Sequence, residues 1–431
     1  MKIKTAKKSY DEVLALPVKK HKKPLKPNFI LGTVIRVLSI FSLLPVGFKY
    51  KKIRMEKLGK KEPALILMNH SSFIDLKIAS KLLYPKRYSI VMTSDGFVGK
   101  NLLMRLIGCI PTQKFVSDSV LVRDIFHCIK KNKTSILMYP EASYSFDGTA
   151  TPLPESLGKL VKKLAVPVVM IRTYGAFGRD PLYNNLQLRK VKVSADMEYI
   201  LSPDDIKNKT PEEINEILKE QFSFDNFLWQ QQNNVKITEK FRADYLNRVL
   251  YKCPNCNTEG ATVGKGIHLK CESCGKVYEL TETGFMKATN GETEFPHIPD
   301  WYAWQRECVK NEIKSGEYRL ETDVDIYMLI DTKKVYNVGS GKLSHDFEGF
   351  HLIGCDGKLD YTQSSLLSYS LYSDYYWYEI GDMVCIGDSK VLYYCFPKDE
   401  SVSVAKTRIA AEEIYKLKTK KTDEYGLYSK G

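Results

Sequence analysis

Acidic side chains are nearly missing from the first 60 positions, where Asp11, Glu12 and Glu56 stand against 16 Lys and Arg. That stretch carries +13 of the chain's net +14, so the remainder is close to neutral. A basic arm on a neutral body seeks an anionic partner, either a lipid surface or nucleic acid. No small-x-small cleavage pattern follows the early apolar run, which argues against a removed signal peptide. The ten cysteines are too sparse in 431 residues for a secreted disulfide framework. Internal repeats and low-complexity tracts are also lacking. Hydrophobic residues at 43% and charged residues at 27% are ordinary globular values, and the length implies two or three domains.

The segment after the lysine cluster separates the two anionic partners. "FILGTVIRVLSIFSLLPVGF" at 29 to 48 has 13 Phe, Ile, Leu or Val among 20 residues, which nucleic-acid arms do not carry. Its length approaches the ~20 residues of a membrane span, but Arg36 near the centre would cost roughly 2.5 to 3.5 kcal/mol there. Lys22, Lys23 and Lys26 precede it and Lys49, Lys51 and Lys52 follow, so no charge asymmetry orients a crossing. Thr33, Arg36, Ser39 and Ser42 fall on one side of a helix and leave a wide apolar face. The segment therefore reads as an interfacial or re-entrant anchor on the cytoplasmic face of a membrane, peripheral or monotopic, in preference to a buried core helix.

Between 60 and 200, short apolar runs alternate with amphipathic ones. "ALILM" (64 to 68), "YSIVMTS" (88 to 94), "SILMYP" (135 to 140), "VPVVMI" (166 to 171) and "VKVSADMEYI" (191 to 200) read as strands. "NLLMRLIGC", "VLVRDIFHCIKK" and "SLGKLVKKLA" have helical spacing. The fold class is α/β, a mixed sheet covered by helices. "TPEE" offers Thr210 as N-cap, Pro211 at N1 and Glu213 at N3 of a helix running to about 222. "TEKFRADYLNRVLYK" at 238 to 252 reads as a further helix leading out of the domain. The boundaries read as an arm over 1–59, a main domain over 60–250, a cysteine hairpin over 251–282 and a β-rich module over 295–420.

"NHSSFID" follows the apolar run at 64 to 68. Residues five apart on a continuous helix point roughly 140 degrees away from each other, so a contact between His70 and Asp75 requires a break, which the strand end at Asn69 supplies. The carboxylate would fix the imidazole tautomer and stabilise its protonated form, as a general base requires. Three further segments follow in order: "GCIPTQK" (108 to 114), "MYPEASYS" (138 to 145) and "VPVVMI" (166 to 171). Together the four blocks resemble the glycerolipid acyltransferase family, of the 1-acylglycerol-3-phosphate acyltransferase type. The resemblance implies that His70 deprotonates an acceptor hydroxyl that attacks an acyl thioester of coenzyme A or acyl carrier protein. It implies that Asp75 orients His70, that Lys114 and Glu141 line the acceptor site, and that Pro167 shapes the acyl-donor side. No metal or covalent intermediate is then required for catalysis.

Two of the blocks depart from the family pattern. Ala142, Ser143 and Tyr144 stand where it has Gly, Thr and Arg, and Lys114 stands where arginine is common. Arginine grips a phosphate with a planar fork, whereas lysine offers a point charge. The acceptor is accordingly either lysophosphatidate, with Lys114 or Arg172 compensating, or a phosphate-free lipid alcohol. Ser143 lacks the glycine-flanked elbow of a nucleophile and reads as a loop serine beside the substrate. Tyr144 reads equally as a packing residue or a substrate contact, and His127 reads as a core or boundary histidine.

Cys253, Cys256, Cys271 and Cys274 form two Cys-x-x-Cys knuckles with 14 residues between them and three glycines in that interval, Gly260, Gly264 and Gly266. This spacing suits a zinc ribbon with structural zinc in a closed four-sulfur site. The stretch from 253 to 278 balances Lys265, Lys270 and Lys276 against Glu259 and Glu272, a poor footprint for nucleic acid. Catalytically inert membrane-tethered binding is the competing function class. The module beyond is read as strands followed by one helix, in the order of pleckstrin-like folds, with the Tyr-rich run at 369 to 382 as half-buried sheet. "SVAKTRIAAEEIYKLKTKK" closes it as an amphipathic helix before a loose tail. No feature identifies a protein partner for this half.

Overall fold

The computed structural model describes residues 2–17, 20–116 and 118–419. The chain divides into two compact units. One consists of Lys19–Pro181 and Gln187–Trp229, the other of Met1–Val18, Leu182–Leu186 and Gln230–Gly431.

The first unit is built on a seven-stranded mixed sheet. Its strands lie in the order Lys49–Ile53, Ser194–Leu201, Val168–Tyr174, Leu65–Met68, Ser135–Met138, Tyr88–Thr93 and Cys109–Thr112. Only the pairing of Val168–Tyr174 with Ser194–Leu201 is antiparallel. Because side chains alternate across a strand, Ile66, Met68, Val169 and Ile171 enter one core layer, and Leu65, Leu67, Val168 and Met170 the other. Both faces are covered, which is why "LILM" is an unbroken apolar run. Each of these buried side chains contributes about 1.5–3 kcal/mol of apolar burial. All five expected strands form. The sheet adds Lys49–Ile53, an exposed basic edge whose pattern carries no apolar alternation, and Cys109–Thr112, inside the block "GCIPTQK".

Helix Asp75–Leu83 packs on one face, with Phe29–Leu43 laid against it. Ser119–His127, Ser156–Leu164 and Pro211–Phe222 cover the other. The last begins as expected: Thr210 Oγ1 accepts from the Glu213 N–H at 3.2 Å, and Glu213 Oε2 accepts from the Thr210 N–H at 2.7 Å. The apolar segment forms a helix only over Phe29–Leu43, 15 residues long, and a turn follows at 44–47. Among the described residues no helix is long and apolar enough to cross a membrane. The amphipathicity of this helix is inverted. Ser39 is buried and Thr33, Arg36 and Ser42 are half-buried, whereas Ile30 (72%), Leu38 (60%) and Phe41 (71%) are exposed.

In the second unit, a four-stranded antiparallel sheet runs Met286–Ala288, Val277–Leu280, His268–Cys271 and Thr262–Lys265. An eight-stranded sheet follows, in which Thr5–Lys7 pairs in parallel with the strand Val335–His345. Helix Val404–Thr419 closes it, and the tail expected beyond lies outside the described residues. The module does not begin with strands, because helix Ile298–Ser315 opens it. In the Tyr-rich run, Tyr372, Tyr375 and Trp377 are buried more completely than half-buried sheet implies.

The stretch 238–252 is not the expected helix. Only Leu246–Arg248 is helical, as a single 3₁₀ turn, and Tyr245 has φ 62°. Backbone N–H groups that a helix would bond internally go elsewhere: Ala243 donates to the Gly266 carbonyl and Tyr245 to that of Gly264. A Cβ on Gly264 would lie 2.4 Å from the Ala243 oxygen, so the glycine permits this close approach. Tertiary hydrogen bonds here override a helical apolar spacing.

Gly158 lies where two helices meet, and a Cβ there would lie 2.1 Å from the Pro211 carbonyl oxygen. Gly158→Ala is expected to destabilise the first unit by about 1–3 kcal/mol through overpacking, read as a lower unfolding midpoint. An unchanged midpoint would mean that the two helices separate freely.

Candidate active site

The turn between Leu65–Met68 and Asp75–Leu83 is held from three directions. Asn69 Oδ1 accepts from the backbone N–H and hydroxyl of Thr173 at 2.9 and 3.2 Å. The His70 N–H donates to Glu141 Oε2 at 3.0 Å. The Ser72 hydroxyl donates to Asp180, whose other oxygen accepts from Arg179 Nη1 at 3.1 Å. Within the turn, Asp75 Oδ2 accepts from the Ser71 and Ser72 N–H groups at 2.9 and 3.0 Å and lies 3.1 Å from His70 Nδ1. An ionised carboxylate only accepts, so the proton sits on Nδ1 and Nε2 is left with its lone pair.

His70, Lys114 and Glu141 all follow the carboxyl ends of parallel strands, the usual place for a binding crevice in open α/β sheets. Burial lowers the His70 pKa from its ordinary 6.5, the Asp75 hydrogen bond and charge raise it, and the Lys114 charge lowers it; the net direction is down. The imidazole is therefore neutral at neutral pH. It is sandwiched between Tyr139 and Tyr144, with ring centroids at 4.2 and 4.0 Å, and Tyr144 also meets the exposed Phe73 at 5.7 Å. Burial pushes Tyr139 well above the usual phenol value. It raises Asp180 to about 6, against the Ser72 hydrogen bond and the Arg179 charge.

The expected residues are thus partly gathered. Asp75 and Tyr144 each contact His70, and Lys114 is near enough for its charge to act on the imidazole. Glu141 is buried with both oxygens held: Oε2 by His70, and Oε1 by the Thr151 N–H and hydroxyl at 2.9 and 3.1 Å. Ser143 is buried, and its N–H donates to the Glu141 carbonyl at 2.7 Å. Pro167 is not brought to the site. Its carbonyl accepts from the Leu65 N–H at the opposite end of the same strands, about 16 Å along the chain direction from His70. Arg172 is turned to the Gln221 carbonyl, with Nε at 3.2 Å, on the face of its strand opposite Thr173. His127 is half-buried and ends helix Ser119–His127. Sequence reasoning missed Tyr139, Thr151, Thr173 and Asp180. Tyr139 had a signal, an aromatic directly before Pro140-Glu141; the others had none.

In the second unit, the Sγ atoms of Cys253, Cys256, Cys271 and Cys274 lie within 4.8 Å of one another. Cys253 Sγ and Cys274 Sγ are 3.8 Å apart, and Cys256 Sγ and Cys271 Sγ 3.7 Å. A tetrahedron of thiolates at ~2.3 Å from a central ion has edges of about 3.8 Å, so the cluster has the dimensions to bind a metal.

Replacing the buried Glu141 with Ala removes the acceptor of the His70 and Thr151 N–H groups. The expected cost is about 2–4 kcal/mol, visible as a lower unfolding midpoint, with Glu141→Gln losing less. An Ala variant as stable as the parent would show that these bonds form elsewhere.

Residues 49–173 match the family model described as Acyltransferase. Among solved structures, the 1-acyl-sn-glycerophosphate (LPA) acyltransferase PlsC from Thermotoga maritima aligns at 15% identity and a TM-score of 0.37, over 44% of this chain and 76% of its own. No curated protein matches the chain. With the His70–Asp75 turn inside the matched segment, the chain carries a domain of the acyltransferase family over residues 49–173.

Proposed function

We propose that the protein is a membrane-associated acyltransferase that moves a fatty acyl group from a thioester donor to the hydroxyl of a lysophospholipid, 1-acylglycerol-3-phosphate, giving phosphatidic acid. The observation that carries this reading is Asp75 Oδ2 at 3.1 Å from His70 Nδ1, which leaves a neutral Nε2 as base. His70 Nε2 takes the acceptor O–H proton as the oxygen attacks the thioester carbonyl carbon. The tetrahedral intermediate collapses, the C–S bond breaks, and the imidazolium returns its proton to the departing thiolate. Asp75 stabilises the imidazolium between these steps. Glu141 holds the backbone of His70 in place, and Lys114 offers the positive charge for an acceptor phosphate.

One observation favours a second acceptor class. Tyr144 lays an apolar ring on His70 where the family pattern has arginine, and Arg172 is turned to a backbone carbonyl. Lys114 alone would then bear the phosphate, and a phosphate-free lipid alcohol fits the same chemistry.

The inverted helix Phe29–Leu43 supports peripheral or monotopic attachment through 29–48. Its apolar face is open along its whole length, and exposed lysines precede and follow it. At 15 residues it is about 22 Å long, short of the ~30 Å hydrocarbon core. For the cysteine cluster the metal is zinc. Four thiolates close the site and leave no position for substrate, so the ion holds the small sheet together and takes no part in acyl transfer.

Mass-spectrometric detection of acylated product in mixed micelles tests the function. Acyl-coenzyme A would be offered with lysophosphatidate and with a phosphate-free acceptor, and a His70→Ala variant run beside the parent. Product that vanishes in the variant is expected; turnover surviving the loss of His70 would remove the mechanism. The lowered His70 pKa places the acid limb of kcat/KM below 6.5, with activity lost as pH falls through that lowered value. Asp75→Asn should slow turnover by about 10²–10⁴-fold. It should also move the limb lower still, because Asp75 raises the imidazole pKa. A limb above the ordinary histidine range would contradict this assignment. Elemental analysis should find one zinc per chain, lost in Cys253→Ser/Cys271→Ser.

A further inference from the structure

Next to the N-terminal end of helix Phe29–Leu43 lies a short helix, Asn101–Leu106, that the acyl-transfer mechanism does not use. Leu102 is 67% exposed and Leu103 47%, although both belong to an otherwise ordinary turn of helix on a packed domain. The two helices are joined at their ends. The Asn28 N–H donates to the Leu106 carbonyl at 2.8 Å, and Gly108 leaves room for the Pro27 ring, which a Cβ would meet at 2.5 Å. Leu102 and Leu103 stand four and three residues before Leu106, about 4.5–6 Å of rise from that junction. Leu25, Phe29 and Ile30, around the junction on the other side, are exposed as well.

The strip between these apolar points is basic and fixed. Pro24 and Pro27 are buried, while Lys20, Lys22, Lys23 and Lys26 face outward. Arg105 Nη2 donates to the Lys23 carbonyl at 3.0 Å, Asn132 Nδ2 to that of Pro24 at 3.4 Å, and His21 meets the buried Asp124 at 2.9 Å. Exposed leucines beside a row of outward-facing lysines match an anionic bilayer, where the apolar side chains enter the acyl region and the lysines are attracted to the charged surface. A protein partner would need a complementary acidic, apolar face; a bilayer supplies both at once.

We propose that Leu102 and Leu103 form a second membrane-inserting point, so that helix Phe29–Leu43, the Lys20–Lys26 strip and helix Asn101–Leu106 together dock the acyltransferase domain on an anionic lipid surface at two places. This rests on the membrane reading of 29–48. Two points fix the tilt of the domain as well as its depth, which a single interfacial helix, free to roll, does not.

Leu102→Trp and Leu38→Trp in the full chain separate the two claims. Each is mixed with phosphatidylcholine vesicles containing ~30% phosphatidylglycerol and brominated acyl chains, and quenching is compared with that of the native tryptophans. Added quenching at both positions is expected. Quenching at 38 without quenching at 102 would overturn the second point and leave the helix as anchor; quenching at neither would overturn membrane attachment itself. Leu102→Ser/Leu103→Ser, which removes exposed side chains only, should weaken vesicle binding roughly tenfold with the unfolding midpoint unchanged. Unaltered binding would count against the proposal.

Discussion

A single carboxylate oxygen, Asp75 Oδ2, collects the Nδ1 proton of His70 and the backbone N–H groups of Ser71 and Ser72. Three donors can converge on it only if the chain between strand and helix curls back on itself, and the remaining contacts of the turn serve that curl. Thr173 pins Asn69, Glu141 pins the His70 backbone, and Asp180 pins Ser72. Each belongs to a different part of the sheet or its loops, so the His70–Asp75 pair, though local in sequence, is held by residues from 71 to 108 positions away.

The same arrangement sets the imidazole between opposed forces. Burial and Lys114 disfavour its charge, and Asp75 favours it. The balance bears on the base role proposed for His70: an imidazole too stable when protonated would not be free at neutral pH, and one without a carboxylate would hold a proton too briefly. The flanking Tyr139 and Tyr144 rings contribute to the burial and keep the imidazole plane from turning away from Asp75.

Local signals were legible in the sequence where both faces of an element are decided by neighbours a few residues away. The strands at 64–68 and 135–140, the Thr210–Glu213 capping box, the cysteine knuckles and the His70–Asp75 break are all of this kind. The polar stripe Thr33, Arg36, Ser39 and Ser42 also read correctly as one side of a helix. What escaped was non-local. Lys49–Ile53 is a strand because Ser194–Leu201 offers it an edge, and 238–252 abandons its helical spacing because Gly264 and Gly266 offer carbonyls. Pro167 sat in a block with the right pattern, yet the direction of its strand puts it at the end far from His70.

The pairing of Thr5–Lys7 with Val335–Asn337 joins residues about 330 positions apart. During synthesis, at roughly 5–20 residues per second, the early strand waits on the order of 15 to 65 s for its partner to emerge. Throughout that interval its hydrogen-bonding edge is open. It is only three residues long and has lysines at 2, 4, 7 and 8, features that disfavour the pairing of an open edge with other chains. Positive charge beside a strand that must wait for a distant partner thus disfavours premature pairing, a consequence of the same lysines that is separate from any lipid contact.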